Sequence, residues 1–274
     1  MLLKFLISLL KSDILVKVSK TLYETLNIDK GEYSFECFDE CEEIKQANYI
    51  LSFGGDGTFL NTANYIKNYN IPIIGINMGR LGFLTCVSIE DLDKLFEALK
   101  NDTIKSETRS LIEIDVENNP FGKNNTGLNE IAIHKKNIVS LLTIKAYING
   151  EYLNTYWADG LLIATPTGST AYSLSLGGPI ISPESNTFVI TPIAPHTLTI
   201  RPIIVPDNVI IELIVSSREG EFYTSIDSQY KTFKHQTTLK IYKSNKSIIL
   251  GILENQNFYE KIRKKLMWGN DIRN

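Results

Sequence analysis

Five residues, Gly54-Gly55-Asp56-Gly57-Thr58, stand between an apolar run and a helical pattern. Glycines let a chain turn tightly and let a ligand approach bare amide N–H groups, and a helix start adds the positive end of its dipole. Such a loop holds phosphate. It is neither GxxxxGK[ST] nor GxGxxG, and a carboxylate stands where those loops would use a lysine. A carboxylate among phosphate-binding amides suits a base that takes a proton from a hydroxyl beside a bound phosphate. The same spacing also fits a strand–helix turn in which Asp56 caps the helix.

Two further stretches could bind rather than react. Gly127-Leu128-Asn129-Glu130 enters the apolar run Ile131-Ala132-Ile133. An Asn-Glu pair at a strand edge can hydrogen-bond a purine edge and a ribose diol together, or it can be a turn residue followed by a solvent-facing Glu. From Asp159 to Pro179 a buried-strand pattern runs into Thr165-Pro166-Thr167-Gly168-Ser169-Thr170-Ala171-Tyr172-Ser173-Leu174-Ser175. Hydroxyls and free amides at a helix start are donors for phosphate, ribose or a base, and Tyr172 can stack or donate. Lesser candidates are His196, Arg201, Arg80 and the turn Asp227-Ser228-Gln229. The cluster Lys261, Arg263, Lys264 and Lys265 reads as a solvated helix face.

Periodicity gives the elements that must position these residues. Met1 to Leu10 is apolar and reads as a buried first strand, and residues 12–26 carry apolar residues at helical spacing. Tyr49–Phe53 and Ile71–Ile76 are strand runs, while Phe59, Leu60, Ala63, Ile66 and Leu92, Leu95, Phe96, Leu99 mark two helix faces. Alternation of strand and helix implies a parallel sheet with helices packed on it. Near Thr103 the character changes: Ile112, Ile114, Val116 and then Leu142, Ile144, Ala146, Ile148 alternate with polar residues. Asn149-Gly150 offers a type I′ hairpin turn, and Val209–Val215 and Thr238–Tyr242 continue the strand pattern. At the end Phe258, Ile262 and Leu266 share one helical face, stopped by Gly269.

The 274 residues suit one large or two small domains, and 43% hydrophobic with 22% charged residues excludes a mostly disordered chain. A net charge of −3 supplies no basic field for nucleic acid or anionic membrane, so neither partner is expected. The first apolar run is too short to span a bilayer and lacks a small-residue cleavage site. Cys37, Cys41 and Cys86 with three scattered histidines make neither a disulfide framework nor a zinc motif, and reduced thiols of a cytoplasmic protein are expected.

Taken together the motifs resemble the NAD kinase family, bacterial type. The resemblance rests on GGDGTFL at 54–60, Gly75-Ile76-Asn77-Met78-Gly79 with Leu81-Gly82-Phe83, Asn129-Glu130, and the DG…TPTGSTAYSLSLGGP stretch. It continues through Thr191-Pro192-Ile193-Ala194-Pro195-His196, Arg201-Pro202 and Arg263-x-Lys265-Leu266-x-Trp268, in order over residues 50–268. The glycine loop alone is shared with diacylglycerol kinases and 6-phosphofructokinases; TPTGSTAYS singles out NAD kinases.

The resemblance implies an α/β plus all-β fold. An N-terminal α/β domain with a parallel sheet (1–105) is joined by a returning C-terminal helical segment (253–274), and a β-sandwich-like NAD-binding domain covers 106–252. It implies phosphoryl transfer from ATP to the 2′-hydroxyl of the adenosine ribose of NAD, with Asp56 as proton acceptor. Gly54, Gly55, Gly57 and Thr58 would form the phosphate loop. Nucleotide contacts would come from Asp56, Gly57, Phe83, Asn129, Glu130, Asp159, Thr167, the run Thr170, Ala171, Tyr172, Ser173, Leu174, Ser175, and Ala194. Gln229 falls where the family has DGQ or DGH, with Ser228 in place of Gly. Trp157 stands two before Asp159, where many relatives carry Arg or Lys. Because no lysine takes the P-loop role, a divalent ion, Mg²⁺, is expected with ATP. A homodimer or homotetramer is expected. A lipid kinase sharing the glycine loop and a non-catalytic nucleotide-binding protein are the rival readings.

Overall fold

In this computed structural model residues 1–12, 14–26, 35–79, 82–138, 140–254 and 256–269 are described, except for the side chain of Cys41. The chain divides into two compact units, residues 1–107 with 248–274, and residues 108–247.

The first unit opens on a helix, α1 (Leu2–Leu10), and not on the expected strand. Leu2, Phe5, Leu6 and Leu9 are its buried residues, a spacing of 3.6. A short run with eight apolar residues in ten satisfies either period, and burial along one stripe decided for the helix. The helix expected over 12–26 is also shorter. A strand, β1 (Lys17–Ser19), precedes α2 (Lys20–Thr25), which starts where the Ser19 hydroxyl accepts the amide of Leu22. β1 pairs in parallel with β2 (Glu36–Phe38).

Beyond this come β3 (Ile50–Gly54), α3 (Asp56–Ile66), β4 (Ile73–Asn77), β5 (Thr85–Ser88) and α4 (Leu92–Lys100). β3, β4 and β5 are parallel neighbours. β4 is buried along its whole length, and α3 turns Phe59, Ala63 and Ile66 inward. A strand buried on both faces reads as a continuous apolar run, as Ile71–Ile76 does.

The second unit is almost wholly strand. In order it contains β6 (Lys105–Asp115), which begins in the first unit, β7 (Thr126–Gly127), β8 (Glu130–Lys135), β9 (Leu142–Ile148) and β10 (Glu151–Ala164). A 3-10 turn (Thr167–Thr170) and the short helix α5 (Tyr172–Ser175) follow. Then come β11 (Thr187–Pro195), β12 (Ile203–Pro206), β13 (Ile211–Ser216), β14 (Glu221–Ile226), β15 (Gln229–Lys234) and β16 (Thr237–Ile252). β9 and β10 meet through Asn149 (φ 50°) and Gly150 (φ 83°), the two positive dihedrals of a type I′ turn.

β10 is the spine of this unit. Its first half pairs with β9, and from Gly160 to Ala164 it lies between β8 and β11. On one face Ile131, Ile133, Leu161, Ile163 and Ile190 join the large core with Leu213 and Ile241. On the other face Ala132, Leu162, Ala164 and Val189 pack with Ile181 and Leu176, residues of the loop that follows β10. The loop is therefore anchored on a dry patch of sheet.

The chain re-enters the first unit at Ile248. Leu250 of β16 pairs in parallel with Ile73 of β4, and α6 (Phe258–Leu266) closes the chain. The Asn257 side chain caps its start through the Glu260 amide. The helix ends at Leu266 because Met267 is left-handed (φ 54°), two residues before the glycine expected to stop it.

Candidate functional site

In the first unit β3 ends at Gly54 (φ 155°), where any Cβ would collide with the Thr58 side chain. Gly55 is the N-cap of α3 and Asp56 its first residue. Open space surrounds the positions that a Cβ on Gly55 or Gly57 would occupy, so packing does not demand glycine there; the backbone is left bare.

Asp56 does not cap α3. Its carboxylate crosses to the segment before β5: Oδ2 accepts the Phe83 amide (2.8 Å), and Oδ1 accepts the amides of Leu84 (3.1 Å) and Thr85 (3.0 Å) and the Thr85 hydroxyl (3.1 Å). Any side chain on Gly82 would collide with this carboxylate. The turn is closed by Asn77, which both donates to and accepts from Gly79. Arg80 lies outside the described residues.

A further cation reaches Asp56. Lys265 Nζ of α6 is 3.4 Å from Oδ2 and lies 4.4 Å from the centre of the half-buried Phe83 ring. Lys261, one turn earlier, donates to the Phe83 carbonyl (3.4 Å). So two members of the basic cluster reach the Asp56–Phe83 side of this unit, while Arg263, Lys264 and Lys265 remain solvent-exposed as expected and Lys264 pairs with Glu260 on its own helix. Burial pushes the Asp56 carboxyl up, but the Thr85, Phe83 and Leu84 amides and Lys265 outweigh it and hold the group below the usual carboxylate range.

The second unit gathers a separate cluster. Asp227 sits at φ 49° in the turn between β14 and β15. Its carboxylate accepts the amides of Leu128 (2.8 Å), Asn129 (2.8 Å) and Glu130 (3.1 Å), and its own amide donates to the Glu130 carbonyl (3.0 Å). From the other side Thr165 donates its hydroxyl to the Leu128 carbonyl (2.6 Å) and its amide to the Asn129 carbonyl (2.9 Å). Asn129 and Glu130 are thus fixed in backbone while both side chains are buried. Glu130 Oε2 finds no hydrogen-bond partner among the described residues. Burial, with the Asp227 charge added, pushes the Glu130 carboxyl up to about 8.

The hydroxyl-rich loop is held mostly by its own polar atoms. Ser169 donates to the Pro166 carbonyl (2.7 Å), Thr170 to the Thr167 carbonyl (3.2 Å), and Ser173 pairs with Thr191 (3.1 Å). Ser175 is exposed, and Ala171 and Leu174 are half-buried. Tyr172, itself exposed, stacks on His134 with ring centres 6.0 Å apart, and burial keeps that imidazole below its usual value.

Asp159 pairs with Lys135 (2.6 Å), so a cation stands beside it. The Trp157 side chain is half exposed, and its carbonyl accepts the His196 amide (2.8 Å). Ala194, on β11, is exposed at φ 43°, a strained setting for a residue other than glycine. Gln229 is exposed at the start of β15. Arg201 spends its guanidinium on the Leu198 and Ile200 carbonyls, which makes it a turn clasp.

No group of three His, Cys, Asp or Glu side chains comes together among the described residues. Both Asp56 oxygens already take N–H or O–H donors. This donor set does not fit a divalent ion held by the protein alone. Cys37 and Cys86 are unbridged. No described helix is long and apolar enough to cross a membrane.

Comparison with known proteins supplies the context for these two clusters. Family profiles match in tandem: the ATP-NAD kinase N-terminal domain over residues 10–104, and the ATP-NAD kinase C-terminal domain over residues 128–250. An NAD kinase of Flavobacterium psychrophilum is 44% identical over 260 residues, which cover 94% of this chain and 88% of that one. An NAD kinase of Bacteroides fragilis is 46% identical over 227 residues, covering 83% and 78%. The crystal structure of an NAD kinase from Archaeoglobus fulgidus in complex with ATP superposes with a TM-score of 0.73 at 27% identity, over 92% of this chain and 99% of that one. Yeast NADH kinase complexed with NADH shares the fold with a TM-score of 0.86 at 24% identity, over 99% and 84%.

Proposed function

The chain belongs to the NAD kinase family, and from that premise we propose that it transfers a phosphoryl group from ATP to the 2′-hydroxyl of the adenosine ribose of NAD, giving NADP. The observation that carries this reading is the Asp56 carboxylate, ionised and half-buried at a strand–glycine–helix turn with bare amides on either side. A ribose hydroxyl is a poor nucleophile until its proton has an acceptor. Asp56 takes that proton as the new P–O bond forms. A carboxylate held below its usual range is a weak base, so transfer is concerted with bond formation and no free alkoxide precedes it.

The amides of Gly54, Gly55, Gly57 and Thr58 and the start of α3 hold donor phosphates. In the second unit Asn129 and Glu130 read the adenosine, with Glu130 neutral near pH 7 and able to donate a hydrogen bond. Asp159, Thr167, the run from Thr170 to Ser175, Ala194 and Gln229 complete the NAD contacts of this unit together with Trp157, and Phe83 is the contact proposed from the first unit. Residues 1–105 with 253–274 serve phosphate, and 106–252 serve NAD. A divalent ion, Mg²⁺, would come as a companion of ATP and supply positive charge to its phosphates, since the described residues offer no ligand set for it.

The proposal includes a cytoplasmic enzyme that self-associates as a dimer or tetramer. Exposed Ile203 and Ile204 on β12 and exposed Leu198 support self-association. The relatives bring no support to the lipid-kinase reading. Coupled detection of NADP from NAD, run with ATP and then with polyphosphate, tests the proposal: NADP is expected with ATP. Its absence under both donors would remove the kinase reading.

A further inference from the structure

The glycine loop has no lysine, yet the transferred phosphoryl group carries negative charge that must be met while the P–O bond exchanges. The first unit brings one from the far end of the chain. Lys265 Nζ stands 3.4 Å from Asp56 Oδ2 and 4.4 Å from the ring centre of Phe83, the residue whose amide donates to the same oxygen. Lys261 fastens the preceding turn of α6 to the Phe83 carbonyl. The helix is therefore held at both positions against the segment that holds the base.

Asp56 is fully engaged in this arrangement. Oδ1 takes three donors, and Oδ2 takes the Phe83 amide and the Lys265 ammonium. A ribose hydroxyl must donate to Oδ2 before its proton can move there, and the three amides are fixed in backbone. Among the described residues Lys265 is the one side-chain donor to Oδ2: it sits on a flexible four-carbon stem and its side chain is 30% exposed.

We propose, on the kinase reading above, that Lys265 is the phosphate-binding lysine of this enzyme, leaving Asp56 Oδ2 when ATP binds and pairing with the oxygens of the transferred phosphoryl group. The exchange vacates the position a hydroxyl needs. The ribose O–H proton then goes to Asp56 Oδ2, the ribose O–P bond forms, and the bond from the γ-phosphorus to the β-bridging oxygen breaks, its electron pair leaving with ADP. Lys265 acts as a compact point charge, in the role that a lysine inside the loop plays elsewhere.

The test pairs steady-state kinetics with chemical protection. Lys265→Met keeps an unbranched side chain of similar length and removes the charge. Its kcat/KM for ATP is expected to fall by about 10²-fold, as for loss of one transition-state donor, while KM for NAD stays near the wild-type value and Lys265→Arg recovers part of the loss. A purely structural lysine would lower both substrates' constants together, or neither, and that result overturns the proposal. In the wild-type chain, ATP is expected to slow acetylation of Lys265 by an amine-reactive ester, read by mass spectrometry, with Lys264 as the internal control; unchanged Lys265 reactivity also overturns it. The protection measurement stands even if Lys265→Met fails to fold. No NADP from the wild-type chain would remove the kinase reading, and protection by ATP would still read the phosphate contact by itself.

Discussion

Asp227 accepts the amide hydrogen of Glu130 at 3.1 Å, and its charge helps keep the carboxyl of that same Glu130 protonated. One carboxylate thus orients the backbone of the pair proposed to read adenosine and adds to the burial that raises the Glu130 carboxyl. The neutral form of Glu130 donates a hydrogen bond, and the ionised form only accepts.

NAD affinity is therefore expected to be constant through neutral pH and to weaken as pH rises through about 8, where Glu130 ionises. Glu130→Gln keeps a donor at every pH and should flatten the profile. Titration of NAD binding from pH 6.5 to 9.5 reads both, and a wild-type profile flat to pH 9.5 contradicts the assignment.

The two perturbed carboxyls act on stability with opposite sign. Glu130 has a raised folded value, so its contribution is fully present below the unfolded value near 4.5 and is lost as pH rises through about 8. Asp56 has a lowered folded value, so its contribution is present above the unfolded value near 3.8 and is lost as pH falls further, through the folded one. Denaturant midpoints measured against pH should decline between about 5 and 8, and Glu130→Gln should remove that slope.

Asp227→Ala strands three amides, those of Leu128, Asn129 and Glu130. Leaving buried donors unmet costs roughly 1–3 kcal/mol each, reduced where water enters. A total loss of at least about 2 kcal/mol in unfolding free energy is expected, with weaker NAD binding in the protein that remains folded. An unchanged denaturation midpoint contradicts this account of the turn.

Much of the fold is legible in the chain because its signals are local. The strand–glycine–helix passage at residues 50–66 and the alternation of Ile112, Ile114 and Val116 each declare their period within a few residues. The opening ten residues do not, because nearly every position is apolar and either period is satisfied. Asp227 and Lys265 were less readable for another reason. Asp227 meets its partners 97 to 99 residues away, and Lys265 meets Asp56 across 209. At close range one is a turn residue and the other a basic helix residue. The spacing of Lys261 and Lys265, four apart on one face, was the available hint.

Asn129→Ala and Tyr172→Ala are expected to act on binding. Each removes a group assigned to hold the dinucleotide, and Asn129 is buried while Tyr172 is stacked on His134. Loss of a neutral hydrogen bond costs roughly 0.5–1.5 kcal/mol, so KM for NAD should rise several-fold with a smaller change in kcat. A collapse of kcat at unchanged KM would put these residues in the chemical step instead.

The most direct measurement of the account is NADP formation from NAD and ATP by the wild-type chain and by Asp56→Asn, with NAD affinity and thermal stability determined for both. Asn cannot take the ribose proton. It also turns an N–H toward donors that now meet a carboxylate, so some loss of stability is expected and must be separated from the rate. The wild-type chain should form the 2′-phosphate. The folded Asp56→Asn protein should bind NAD comparably and turn over about 10²–10⁴-fold more slowly. Near-normal turnover by folded Asp56→Asn would contradict the central claim, leaving Asp56 as an anchor for residues 83–85 with no part in proton transfer.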